Sequence, residues 1–326
     1  MDLDAPPPRL RSYAGILGLF GGALALGLIA FFAVCQPESA MEIHPVRGAA
    51  RADADHLRAL VVELAETIGP RSPEQPSSLA KAAVMIEREC LRLGHTPLHQ
   101  SLSRSAENLV VRLGGAGAPM VVGAHYDTTP STPGADDNAS GVAALLELLR
   151  MLTLEPPRSP VELVFYALEE PPYFRTEEMG SRAHARGLPE IRGMISLEML
   201  GFYADVRGSQ RLPGLVLASR YPDVGNFLLV VGRPSDRALV DEVASRMAIS
   251  VRLPIYRFIG LESVPGVDFS DHQSYWAAGQ TAVMITDTAF LRNRHYHREG
   301  DRPETIDYAR LALAVDGVFA ALAPGD

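Results

Sequence analysis

Apolar positions recur along this chain in two rhythms. From Asp53 to Ile68, Leu57, Leu60, Val61, Leu64 and Ile68 fall three and four apart, the spacing of one helical face. The run GPRSPEQP at 69–76 cannot continue that helix. A second helix starts at Ser77 or Ser78, runs to Leu93 and stops at Gly94. Short apolar runs then take over: Asn108–Leu113, Met120–His125, Val161–Leu168, Gly193–Leu197, Phe227–Val231 and Thr281–Ile285. Each has the length of a buried strand. Helical patterns separate them. Val142, Leu145, Leu146, Leu149 and Leu152 share a face, Gly180–Gly187 is a short helix or turn, Arg237–Met247 is a helix, and Thr305–Leu322 closes the chain. Strands alternating with helices predict an α/β fold, a mostly parallel mixed sheet with helices on both faces.

What stops the strands points to chemistry. Four apolar runs end in, or lead to, residues that ligate metals: His125, the pair Glu169–Glu170, Glu198, and the loop carrying His295 and His297. Parallel strands aim their carboxyl ends at one edge, so these side chains are expected to converge there. The first run is the densest. VVGAHYD leads through a Pro- and Gly-bearing loop into Asp136, Asp137 and Asn138, residues suited to capping the helix that follows.

Composition narrows the class. With 326 residues, 47% hydrophobic and 21% charged, the chain has ordinary globular make-up. A net charge of −9 argues against nucleic acid as a partner. Lys81 is the only lysine, a compositional bias without functional meaning. Cys35 and Cys90 leave no disulfide within the folded domain. Ala14–Val34 carries no charge and as a helix spans about 31 Å, enough for a bilayer core. It exceeds the usual core of a cleaved signal, about 7–15 residues. Its lack of an amphipathic pattern argues against a packed helix, and Cys35 after Ala33–Val34 is a poor match to a lipoprotein cleavage site. The expected layout is a cytoplasmic segment at 1–13, a transmembrane anchor at 14–34, a tether at 35–52 and one domain at 53–326. Arg9 and Arg11 before the anchor place that domain on the periplasmic or extracellular side of a single-pass protein.

Two imidazoles among several carboxylates suit zinc or a similar borderline cation. Excess carboxylates allow two metals to share one of them, with a bound water acidified to a pKa of about 7. In an extended strand end, Glu169 and Glu170 face opposite ways, so one can ligate while the other acts as general base.

The motifs HYD (125–127), PGADDNASG (133–141), EE (169–170), SLEMLG (196–201), SDH (270–272) and YH (296–297) resemble the zinc-dependent M28 peptidases. That family includes bacterial aminopeptidases, glutamate carboxypeptidase II and, as relatives, the glutaminyl cyclases. The resemblance runs from about Asp53 to the carboxyl end. It implies two zinc ions, with His125 and Glu170 on different metals, Asp137 bridging them, and His297 as the last imidazole ligand. It implies Glu169 as the general base that serves the leaving amine, and Asp127 as the carboxylate that orients the His125 imidazole. Glu198 stands where many members have aspartate, one methylene shorter. A cis peptide is expected at Asp137–Asn138. Tyr296, next to a ligand, is an oxyanion-donor candidate. Asp271, His272, Arg292, Asn293, His295 and Asp301 are supporting candidates.

The function expected is a membrane-anchored zinc exopeptidase, an aminopeptidase acting on peptides. Two alternatives are a glutaminyl-cyclase-like acyltransferase with one zinc, kept open by Glu198 and GSRAHA at 180–185, and a binding domain without catalysis. Competent residues at every ligand position count against the last.

Overall fold

A computed structural model describes residues 50–212 and 219–322. The apolar segment Ala14–Val34, Cys35 and most of the tether lie outside the described residues. Among the described residues no helix is long and apolar enough to cross a membrane.

The domain is built on one eight-stranded sheet. Its strands are β1 (Leu98–Ser101), β2 (Glu107–Leu113), β3 (Met120–His125), β4 (Val161–Tyr166), β5 (Gly193–Glu198), β6 (Leu228–Gly232), β7 (Ile255–Ile259) and β8 (Ala282–Thr286). They lie in the order β1-β2-β4-β3-β5-β8-β6-β7. The middle four, β4-β3-β5-β8, are mutually parallel. Antiparallel pairs flank them, β1–β2 and β2–β4 on one side and β6–β8 on the other, while β6 and β7 run parallel. All strand ends that the sequence marked for chemistry belong to the parallel centre. The register sets His125 beside Tyr166 and Glu198 beside Thr286, so their ends finish level.

The helices are α1 (Ala54–Val62), α2 (Pro76–Arg92), α3 (Gly141–Leu154), α4 (Gly180–Gly187), α5 (Arg237–Ser250), α6 (His272–Ala277) and α7 (Tyr308–Leu322). One core joins α1, α2, α3, α5 and α7 to one face of the sheet; a smaller one joins α4 and α6 to the other. In α3 the predicted face of Val142, Leu145, Leu146 and Leu149 is fully buried. Each such side chain contributes roughly 1.5–3 kcal/mol of burial.

Several boundaries differ from expectation. The first helix is regular only to Val62 and widens into a π-type turn over Glu63–Ile68. Its cap is Asp53, whose carboxylate accepts the amides of Asp55 (2.9 Å) and His56 (3.1 Å). The second helix begins at Pro76, whose missing N–H costs nothing in a first turn. The closing helix begins at Tyr308, because Pro303–Thr305 forms a separate 3₁₀ turn. The pattern missed β1, a polar edge strand reading LHQS, as well as β7 and α6.

Candidate metal centre

β3 delivers His125, and Gly134 in a left-handed conformation (φ 64°) turns the following loop back over the strand end. The loop's capping residues divide differently from the sequence reading. Asn138 supports the next helix, its Oδ1 accepting the amides of Gly141 (3.2 Å) and Met199 (3.1 Å). Asp136 accepts the amide of Gly201 (2.9 Å) and the side-chain amide of Asn293 (2.9 Å). Asp137 is thereby left for the centre. The Asp137–Asn138 bond is cis, as expected.

The donors fall into two groups that share Asp137. His125, Asp137 and Glu198 form one; Asp137, Glu170 and His297 form the other; in each, one donor atom per residue lies within 4.8 Å of the rest. Asp137 turns one oxygen to each group. Its Oδ1 is 3.5 Å from His125 Nε2, and its Oδ2 is 3.1 Å from His297 Nε2. Glu198 Oε2 is 3.4 Å from His125 Nε2 and Glu170 Oε2 is 3.2 Å from His297 Nε2. The extra methylene of Glu198 does not displace it, because Ser270 Oγ donates to its Oε2 at 2.7 Å.

Glu169 belongs to neither group. Its Oε2 lies 3.8 Å from His125 Nε2, at the edge of the first. The sequence placed this pair on an extended strand end. Instead β4 stops at Tyr166, and Leu168 adopts φ 63°, turning the chain before the two glutamates. Asp127 then fixes them from behind, Oδ1 accepting the Glu169 amide (3.1 Å) and Oδ2 the Glu170 amide (3.0 Å). With both oxygens so used, the Asp127 carboxylate stays 3.6 Å from His125 Nδ1. The imidazole Nδ1 meets the Asp127 backbone carbonyl instead, at 3.1 Å. Asp127 therefore orients the glutamate loop through its side chain and the imidazole through its main chain.

Among the supporting candidates, Asp301, Asn293 and Arg292 hold main-chain groups in place. Asp301 accepts the amides of Asp136 (2.9 Å) and Asp137 (3.0 Å). Asn293 Oδ1 accepts the amide of His295, and Arg292 donates to Gln210 Oε1 and to the carbonyls of Phe202 and Phe227. His295 joins neither donor group. Asp271 is buried beside the centre with neither oxygen hydrogen-bonded, while His272 Nε2 meets the Val267 carbonyl and its ring lies edge-on to Trp276. Sequence reasoning missed Ser270 as the partner of Glu198, although it opens the SDH motif.

Burial pushes Glu169 well above the ordinary carboxyl range, helped by Glu170 and Glu198 and opposed by His125. Burial, with Asp137, raises Glu170 to about 7. Burial would raise Asp137 too, but the imidazoles of His125 and His297 hold it below its usual value. Burial alone would lower His297; Asp137 and Glu170 instead raise it to about 10. The centre is a cluster of carboxylates and imidazoles removed from water, and Glu170 Oε1 is buried without a hydrogen-bond partner. Mixed nitrogen and oxygen donors, one bridging carboxylate and an unpartnered buried oxygen together fit a pair of divalent cations of the zinc type.

A cleft opens beside the centre, with Glu198 and Tyr296 in its wall. It is lined mostly by apolar side chains, among them Phe227, Phe258, Val267 and Met284. Glu198 is its one charged wall residue among the described residues. The polar groups of Gln210 and Thr288 in that wall are bonded to each other, at 3.0 and 3.1 Å. Tyr296 stacks on His297, ring centroids 3.9 Å apart. Burial, reinforced by nearby carboxylates, raises its phenol far above the ordinary value, so it keeps its proton.

The sequence model of peptidase family M28 matches residues 108–322. The chain belongs to that family. This M28 chain is 41% identical over 284 residues to YfbL of Escherichia coli (strain K12), a protein described as uncharacterized, covering 83% of this chain and 88% of that one. Its fold is shared with an aminopeptidase from Aneurinibacillus sp. strain AM-1, with TM-score 0.64, 15% identity and coverage of 85% and 95%. It is shared equally with a glutaminyl cyclase from Bacteroides thetaiotaomicron, with TM-score 0.63, 17% identity and coverage of 86% and 100%.

Proposed function

We propose that this M28 chain is a zinc-dependent aminopeptidase that removes bulky apolar residues from the amino terminus of peptides. The observation that carries the reading is the pair of donor groups joined through the two oxygens of Asp137, with Glu169 uncommitted beside them. His125, Asp137 and Glu198 would hold one zinc, and Asp137, Glu170 and His297 the other. Zinc bound there would supply Lewis acidity toward the scissile carbonyl and a water. Glu169 takes the proton of that water and delivers it to the leaving amine. Asp127 keeps Glu169 in register through the amide it holds. Tyr296, still protonated, would donate to the developing oxyanion. The cleft receives the first side chain; a charged one finds no counter-charge there among the described residues, apart from Glu198, itself a metal donor.

We also propose that Ala14–Val34 anchors the chain in a membrane, with the peptidase domain outside the cytoplasm. An uncharged run preceded by Arg9 and Arg11 supports this. Protease treatment of intact cells tests it: digestion of the domain is expected, and protection would refute an external placement.

The fold's equal likeness to a glutaminyl cyclase keeps a second reading in view. The deciding assay uses the zinc-loaded chain with a peptide bearing amino-terminal glutamine and one bearing leucine, with products followed by mass spectrometry. Release of a free amino acid is expected. Loss of ammonia from an otherwise intact glutamine peptide would replace the aminopeptidase by a cyclase, and one zinc per chain instead of two would point the same way. Glu169→Gln is expected to reduce turnover by about 10²–10⁴-fold with zinc content unchanged. Full activity in that variant would defeat the assignment of the base.

A further inference from the structure

Arg71 lies in the turn between α1 and α2, in the helix-breaking run GPRSPEQP and outside the segment matched by the family. Its side chain is nevertheless among the largest that are fully buried. The guanidinium makes no ion pair with a carboxylate among the described residues. Its donors go to main-chain carbonyls: Nε to Tyr126 (2.9 Å), Nη1 to Leu64 (3.0 Å), Gly69 (3.1 Å) and Pro133 (2.7 Å), and Nη2 to Gly134 (3.0 Å). The Arg71 amide also donates to Thr128 Oγ1 (3.0 Å), and the Thr128 amide to the Arg71 carbonyl (3.3 Å).

The origin of these carbonyls matters. Leu64 and Gly69 belong to the end of the first helical segment. Tyr126 stands between His125 and Asp127, and Pro133–Gly134 immediately precedes the turn that carries Asp137. One planar fork therefore ties the strand end bearing His125 to the loop bearing Asp137. The fit is close: a Cβ on Gly134 would sit 3.0 Å from Arg71 Nη2 and 2.4 Å from the Asp137 carbonyl oxygen. A buried cation without a contacting anion is expensive to maintain. Burial lowers Arg71 to about 10, opposed by the fields of Asp301, Asp127, Asp137 and Glu170, so it remains charged at neutral pH. Of those four carboxylates, Asp137 and Glu170 stand at the metal centre, and Asp127 and Asp301 brace it directly.

We propose that Arg71 is a positioning residue of the metal centre: by bracing the main chain beside His125 and ahead of Asp137, it fixes the spacing of imidazole and shared carboxylate and so sets the affinity for zinc. This rests on the reading of the two donor groups as a zinc centre. Geometry and charge make opposite predictions. Removing a positive charge behind the site would by itself tighten cation binding. Losing the brace weakens it. Lysine keeps the charge but cannot reproduce the fork.

The experiment titrates the full-length chain with zinc against a chromophoric chelator, for wild type, Arg71→Lys and Arg71→Met. It is run well below each variant's unfolding midpoint, with folding checked by circular dichroism. Weakening of about 10–100-fold is expected in both variants, the scale typical of lost support around a metal ligand. Both zinc ions should be affected, because both groups use Asp137. Unchanged or tighter binding in folded variants overturns the proposal, even if their melting temperature falls. Failure of both variants to fold overturns it too, assigning Arg71 to the fold. A wild-type chain that binds no zinc would refute the metal-centre reading itself, an outcome distinct from the others.

Discussion

The two donor groups share a carboxylate but are mounted differently. His125 and Glu198 sit at the last positions of two parallel strands, and their side chains are 1% and 8% exposed. Glu170 and His297 come from loops, and the His297 side chain is 30% exposed. His297 has φ 55°, an uncommon conformation for a residue with a side chain. The first group is set by the sheet and the second by loops clamped onto it. Strand hydrogen bonds position the first at no extra cost. The second needs Asp127 to hold the glutamate loop, while Asp301 holds the turn at Asp137 that both groups share. A strand-mounted, closed site is expected to keep its cation; a loop-mounted site open on one side is expected to exchange it.

The largest effect comes from removing the shared residue. Asp137→Asn should lose both zinc ions, measured by metal analysis after gel filtration, and bring peptide hydrolysis to background. A variant that keeps one zinc would show that the groups are not joined through this carboxylate. Next, His297→Ala should lose one zinc and keep the one held by His125 and Glu198. Loss of both would mean that the strand-mounted group cannot stand alone. A smaller effect is expected for Glu198→Asp. Shortening the side chain gives up the Ser270 hydrogen bond, and one bond to a charged group is worth about 1.5–3 kcal/mol, roughly 10–100-fold in affinity at that group. Affinity equal to wild type would show that the main chain adjusts to either length.

The gentlest test is pH. In the metal-free chain, Glu170 is raised to about 7 and His297 to about 10. Both bind more protons folded than unfolded, where their values are near 4.5 and 6.5. Their stabilising contribution is present below those unfolded values and is lost as pH rises through the folded ones. The metal-free melting temperature should therefore fall between pH 5.5 and 8. Saturating zinc takes the place of the protons and should flatten that slope. A metal-free chain that gains stability over the same range would contradict the charge crowding described for the loop-mounted group.

Much of this was legible beforehand because the parallel centre writes itself plainly. Fully buried strands read as continuous apolar runs, and a ligand at a strand end appears where the run breaks. That is why His125 and Glu198 stand out in the sequence. The pattern failed at the sheet's margins. β1 reads LHQS, with Leu98 exposed, and carries no apolar rhythm because an edge strand buries little. The end of β4 was misjudged for another reason: Ala167 and Leu168 are apolar and buried, yet Leu168 turns the chain, and composition does not record the sign of φ.

The strand–helix alternation, the family, and the set of side chains chemically able to hold metal can be read from residue order, since these depend on residue type and short-range spacing. How the donors divide is a property of the folded chain. Folding set the two oxygens of Asp137 toward different imidazoles, left Glu169 outside both groups, and gave the Asp127 carboxylate to two amides across the strand end. It also brought Arg71 from the first turn to the back of the centre. These are relations between segments far apart in the chain. Their energies depend on burial and on distances of a few ångströms, which local periodicity cannot encode.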